Sequence, residues 1–213
     1  MKNYLKYDAW KIWEDHFHAE HNEITESIMS LGNGKFGTRG NFEEKYTGKT
    51  LPGAYVGGVW FPDKTRVGWW KNGYPDYFAK VINSINWLGI DLEIDGTLLD
   101  LGAVDIKEFY RELDLQKGIL SKHILLETRE GKAVRIRSRR FCSTFDSRFA
   151  QVNYTVSAEN FSGQVALVSS LNGDVRNRDS NHDEHFWEEI KVDAEGYVQM
   201  RTKTNPYGVP RFE

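Results

Sequence analysis

From Asn86 onward, apolar and polar residues alternate with a period of two. Leu88, Ile90, Leu92 and Ile94 are separated by Gly89, Asp91 and Glu93, the pattern of a strand with one face buried and one in water. The Asp95-Gly96 pair predicts a tight hairpin turn, after which residues 98–101 return. Phe109, Arg111, Leu113 and Leu115 alternate with Tyr110, Glu112 and Asp114, and Gly118 turns the chain into residues 119–128. Glu130-Gly131 turns it again, into a strand on which Val134, Ile136 and Ser138 face away from Arg135, Arg137 and Arg139. Another strand begins with Val152, Tyr154 and Val156, and residues 165–171 form the next. A last hairpin pairs residues 187–192 with 197–203 around Ala194-Glu195-Gly196.

Upstream the pattern is weaker. Trp10, Trp13 and Phe17 stand at helical spacing within residues 6–20, which suits a short amphipathic helix or an aromatic-anchored strand. Residues 55–87 read as a long loop, broken by Gly57, Gly58, Gly68 and Gly73 and by Pro62 and Pro75. Many short strands, turn signals about every ten residues and little helical periodicity predict an all-β antiparallel sandwich rather than a doubly wound α/β domain.

With 213 residues, 39% hydrophobic and 14% aromatic, the chain can bury a large core, and one domain is expected rather than two small ones. A net charge of −3 without long runs of one sign points away from nucleic acid and anionic membranes. Cys142 is the single cysteine, so no internal disulfide forms and a reducing compartment is expected. The charged, aromatic N-terminal residues lack the apolar core of a signal peptide, and no apolar run reaches the length of a membrane span. A cytoplasmic, soluble protein is the expectation.

Residues 27–44 hold glycines at 32, 34, 37 and 40, which suggests tight turns and close backbone approach. The first three spell a dinucleotide fingerprint, but Gly40 interrupts the helix that such a site needs, and Glu43 stands where a P-loop ending at Gly48-Lys49-Thr50 requires glycine. Glu26-Ser27, Gly32-Asn33-Gly34, Gly37, Arg39-Gly40 and Glu43-Glu44 instead resemble the start of glycoside hydrolase family 65, the maltose, trehalose and kojibiose phosphorylases. Gly53, Tyr55, Gly57-Gly58, Arg111-Glu112-Leu113-Asp114, Gly118 and Arg140-Phe141 follow in the same order, and the aromatic segment 59–75 is most similar to the maltose-cleaving members. The resemblance covers nearly all of the chain but only the family's N-terminal domain. It implies a galactose mutarotase-like supersandwich with few short helices over residues 1–213. The catalytic (α/α)6 barrel of the family would follow and is absent from this chain. It also implies inorganic phosphate as co-substrate, no cofactor, a homodimer, and maltose or another glucose disaccharide as substrate of the longer enzyme.

Candidate chemistry is sparse. A glycosidase needs two carboxyl groups across the scissile bond, and no spacing among the 31 acids singles out such a pair. Glu43-Glu44 and Glu188-Glu189 are adjacent, and neighbours on a strand point to opposite faces. An inverting phosphorylase needs only one general acid, since phosphate is itself the nucleophile; the resemblance places that acid in the barrel, so no catalytic residue is assigned here. Trp60, Trp69, Trp70 and Tyr74 could wall a saccharide pocket or a domain interface, or fill the core. His16, His18 and His21, and the run His182-Asp183-Glu184-His185, lack recognised ligand spacing and read as hydrated surface. The row Arg135, Arg137, Arg139 could hold an anion but suits a solvated sheet face. A free-standing carbohydrate-binding module, or the same domain from a kojibiose or trehalose phosphorylase or a hydrolase, remains the alternative.

Overall fold

The computed structural model describes residues 4–66, 73–178, 184–193 and 196–213. The strongest alternation in the sequence becomes one antiparallel sheet of six strands, in the order Lys6–Tyr7, Lys11–Glu14, Asp105–Asp114, Ile119–Glu127, Ala133–Cys142 and Ala150–Ala158. Its four long strands follow one another in the chain through tight connections. Gly118 and Gly131 take φ of 63° and 75° at two of these turns, the left-handed region that a side chain disfavours. A smaller antiparallel sheet sets Ile90–Ile94 between Val165–Ser169 and Thr97–Leu98. Its hairpin turns at Asp95-Gly96 with both residues at positive φ, as a type I′ turn demands.

The two sheets belong to one compact unit, Met1–Gly53 with Leu88–Ser170, and they form the sandwich expected from the alternation. Leu92, Ile94, Leu99 and Leu101 pack with Phe42 against Phe109, Ile124, Leu126, Val134 and Ile136 of the large sheet. Each such side chain contributes about 1.5–3 kcal/mol by leaving water. At the other end of the same sheet face, Leu113, Leu120 and Cys142 pack with Met29 and Leu31. The outward side of Ala133–Cys142 carries Arg135, Arg137 and Arg139 in solvent, as the alternation predicts.

The second unit comprises Ala54–Trp87 and Leu171–Glu213. In it Trp187–Asp193 pairs with Tyr197–Thr202, the hairpin expected from the sequence. Residues 55–87 are not the loop that their glycines and prolines suggest: Trp60–Lys64 pairs with Tyr77–Val81, and Pro62 sits in register opposite Ala79. Proline fits a two-stranded ribbon because one side of each strand needs no donor. The N-terminal segment also differs from the helical alternative. Trp13 lies on a strand and Trp10 is exposed before it, while the helix comes later, at Asn22–Ile28, and buries polar Asn22, Thr25 and Glu26. Among the described residues, no helix is long and apolar enough to cross a membrane.

Candidate functional site

The inward face of the large sheet is banded, and its middle is charged. Between the two apolar clusters, Glu14, Arg111, Lys122, Ser138 and Tyr154 stand side by side across five strands in direct register. Arg140 follows Ser138 on the same face, and Arg111, Lys122 and Arg140 are each at most 3% exposed. Bare cations so placed would be costly, so their partners decide whether the fold stands.

Those partners come from the strand Lys11–Glu14, the helix and the glycine-rich segment. Arg111 donates from Nε to Glu14 Oε1 at 2.8 Å, from Nη1 to the Gly40 carbonyl at 3.0 Å and from Nη2 to Asn22 Oδ1 at 3.1 Å. Asn22 passes the connection on to Glu26, whose carboxylate accepts from the Thr50 hydroxyl at 2.7 Å and the Leu51 amide at 2.6 Å. Lys122 Nζ sits between two carboxylates, 2.5 Å from Glu43 Oε2 and in contact with Glu44 Oε2. Ser138 and Arg140 also donate to Glu43, both at 3.2 Å, Arg140 donates to the Arg39 carbonyl at 3.0 Å, and the Tyr154 hydroxyl donates to Glu44 at 2.6 Å. The Phe42 ring lies 5.1 Å from the Arg111 guanidinium and 5.3 Å from Lys122 Nζ, within reach of a cation–π attraction to both.

Electrostatics follow from this packing. Burial pushes the Glu43 carboxyl upward, but Lys122 and Arg140 outweigh it and hold the group well below the usual carboxylate range. Burial dominates at Glu14 and raises it, with the Arg111 charge opposing. Tyr154 is driven far above its ordinary value by burial and by the Glu44 charge. The band therefore seats residues 39–44 on the sheet with each of its carboxylates engaged, and leaves only the buried Nε atoms of Arg39 and Arg140 without a hydrogen-bond partner among its described side chains. The expectation that Glu43 and Glu44 point apart is overturned: they lie in a bend rather than a strand, and both reach Lys122.

The glycines serve the same segment. A Cβ on Gly37 would lie 2.9 Å from the Leu31 carbonyl, where Leu31–Gly32 pairs with Phe36–Thr38. Gly34, at φ 85°, makes the turn between them possible. Asn33 accepts from the amides of Lys35 and Phe36 within that turn and donates to the carbonyls of Ser143 and Ser147.

Of the aromatic candidates, Trp60 and Tyr74 are described, while Trp69 and Trp70 lie outside the described residues. Trp60 is half-buried, stacked on Tyr77 at 6.4 Å and edge-on to Phe212 at 6.2 Å, with Tyr207 against Tyr77 at 4.5 Å. Tyr74 is exposed, with Phe78 beside it. His182 and Asp183 also fall outside the described residues, and His185 pairs with Asp174 at 3.3 Å. His21 stacks on Tyr4 at 4.3 Å. Among the described residues, no group of three or more His, Cys, Asp or Glu is placed to hold a metal. A cleft of about 580 Å³ that the sequence does not announce opens between Phe17, Tyr46, Leu101, Val104 and Phe109, with His16 and Lys107 at its lip.

Fold and site together define an antiparallel sandwich domain whose charged side chains brace its own glycine-rich segment. A family model described as glycosyl hydrolase family 65, N-terminal domain, matches residues 12–210, and the chain belongs to that family. It is 46% identical to the maltose phosphorylase of Bacillus subtilis (strain 168) over 96% of this chain and 27% of that protein. It is 30% identical to the kojibiose phosphorylase of Thermoanaerobacter brockii over 90% of this chain and 23% of that protein. A solved structure named "Putative kojibiose phosphorylase from human microbiome" superposes with a TM-score of 0.75 at 26% identity, covering 95% of this chain and 26% of that one. The chain thus spans about a quarter of the length of these relatives. Of the residues that carry the family resemblance, Glu26, Arg39, Gly40, Glu43, Glu44, Arg111 and Arg140 take part in the charged band.

Proposed function

We propose that this chain is the non-catalytic N-terminal domain of an inverting disaccharide phosphorylase that converts maltose and phosphate to glucose and β-glucose 1-phosphate. The observation that carries the reading is the 46% identity to a maltose phosphorylase across almost the whole of this chain, which spans only 27% of that protein. The engagement of every carboxylate in the charged band supports it, because a general acid must be free to give its proton to the leaving sugar oxygen. In such an enzyme a phosphate oxygen attacks the anomeric carbon while one acid protonates the departing glucose. That acid and the phosphate site belong to a following (α/α)6 barrel. The sandwich supports the barrel, contributes to a homodimer, and sends the segment bearing Trp60, Trp69, Trp70 and Tyr74 toward the rim of the active site. The cytoplasm is its compartment.

Domain replacement tests this reading. The chain is grafted in place of the matching N-terminal segment of the Bacillus subtilis maltose phosphorylase, and phosphate-dependent release of glucose 1-phosphate is measured. Activity near that of the parent is expected. A folded but inactive graft would oppose the proposal. The exposure of Tyr74 beside Phe78 favours one second reading, a carbohydrate-binding module, for which saturable binding of maltose by the isolated chain is the discriminating result.

A further inference from the structure

Phe145 is 101% exposed at the tip of the turn that joins Ala133–Cys142 to Ala150–Ala158, with Phe149 60% and Phe141 37% exposed on either side. Three phenylalanines in nine residues are open to water, apolar area that this unit does not use for its own core. The turn is nevertheless tied down. Asn33 donates to the Ser143 carbonyl at 2.9 Å and to the Ser147 carbonyl at 3.1 Å. The Ser143 amide donates to the Phe149 carbonyl at 2.9 Å, and the Phe149 amide to the Asp146 carbonyl at 3.1 Å. The Asp146 amide donates to Ser143 Oγ at 3.1 Å, and Arg148 closes a two-point contact on the Asp146 carboxylate. An exposed aromatic held on an ordered backbone is pre-organised for a partner, because little further freedom is lost on docking.

Charge narrows the partner. Arg137 and Arg139 precede Phe141 on the outward side of the same strand, and neither forms an ion pair among the described residues. Arg135, by contrast, is held by Glu108 and Glu159, each at 3.0 Å, and Arg148 is neutralised by Asp146. Two cations that have no ion pair among the described residues, leading to an aromatic tip, complement an apolar socket bordered by carboxylates.

We propose that the turn 143–149, with Phe145 as its anchor, seats this domain on the domain that follows it in the full-length protein, in an apolar socket with an acidic border. The inference rests on the domain reading above. This chain spans 27% and 23% of two of its curated relatives, so most of a full-length member lies outside it and is available to cover the turn.

The test places Phe145→Ser and Arg139→Glu separately in the active graft and in the isolated chain. Full exposure of Phe145 predicts an unchanged melting temperature for the isolated chain. In the graft, Phe145→Ser is expected to lower the melting temperature by several degrees and to accelerate heat inactivation several-fold, with Arg139→Glu acting in the same direction. An active graft indifferent to both substitutions overturns the inference and leaves the domain reading standing. Dimerisation of the isolated chain that Phe145→Ser abolishes would assign the turn to a second copy and also overturn it. An inactive unsubstituted graft removes the domain reading, and the inference with it.

Discussion

Removing the Lys122 ammonium while keeping its stem, as in Lys122→Met, isolates what the charged band contributes. In the native protein this cation lies between Glu43 and Glu44, both 5% exposed, so its loss leaves two buried carboxylates facing each other. Glu43 keeps Arg140 and Ser138, and Glu44 keeps the Tyr154 hydroxyl, so neither is left bare. Breaking a buried ion pair from one side costs about 3–5 kcal/mol, which for a chain of this size lowers the melting temperature by roughly 6–20 °C. Thermal melting followed by tryptophan fluorescence reads this directly. The pH dependence gives a second sign. In the native protein Glu43 titrates below its unfolded value, so its contribution is present above the unfolded value and is lost as pH falls toward the folded one. Without Lys122 the Glu43 carboxyl loses the charge that holds it down, and the deficit of the variant shrinks on acidification. Adding Glu44→Gln to Lys122→Met removes the repulsion while Glu43 stays paired with Arg140, and is expected to recover much of the loss. A loss below about 1 kcal/mol for Lys122→Met alone would refute the view that these ions seat residues 39–44 on the sheet.

Glu14→Gln should cost far less than Arg111→Met, because glutamine still accepts from Arg111 while loss of the guanidinium strands Glu14, Asn22 and the Gly40 carbonyl; paired denaturant titrations check the ranking. The Glu14 carboxyl is raised in the folded state, so it favours folding most at low pH and progressively less as pH rises through its folded value, and Glu14→Gln should compare better with the native protein as pH increases. Gly37→Ala forces a Cβ to 2.9 Å from the Leu31 carbonyl and is expected to cost about 1–3 kcal/mol, whereas Gly34→Ala meets open space and costs about 1 kcal/mol through its positive φ; melting temperatures of the two variants test the order. Tyr74→Ala should leave stability within about 0.5 kcal/mol, while Trp60→Ala loses the stacking with Tyr77 and Phe212 and lowers stability measurably.

Alternation made the large sheet legible, because its strands bury one face against a core and leave the other in water. Pairing between distant segments was not legible: Val165–Ser169 joins Ile90–Ile94 across some seventy residues, and neither strand carries a local sign of it. The pair Trp60–Lys64 and Tyr77–Val81 was hidden by Pro62 and the surrounding glycines, which a two-stranded ribbon tolerates. The helix Asn22–Ile28 escaped because the residues it buries are polar and leave no apolar period. The charged band did leave a signal. Arg111, Lys122, Ser138 and Arg140 occupy the same parity as Phe109, Ile124, Leu120 and Ile136 on their strands, so following the inward parity strictly would have placed three cations and a hydroxyl in the interior. The acids that answer them come from a bend and from another strand, where no local period announces them.

The central claim, that this sandwich contains no phosphorolytic chemistry of its own, is tested most directly by incubating the purified chain at high concentration with maltose, with and without inorganic phosphate. Glucose and glucose 1-phosphate are then measured. The account predicts neither product in either arm. Phosphate-dependent release of both would place the general acid among these 213 residues and contradict it.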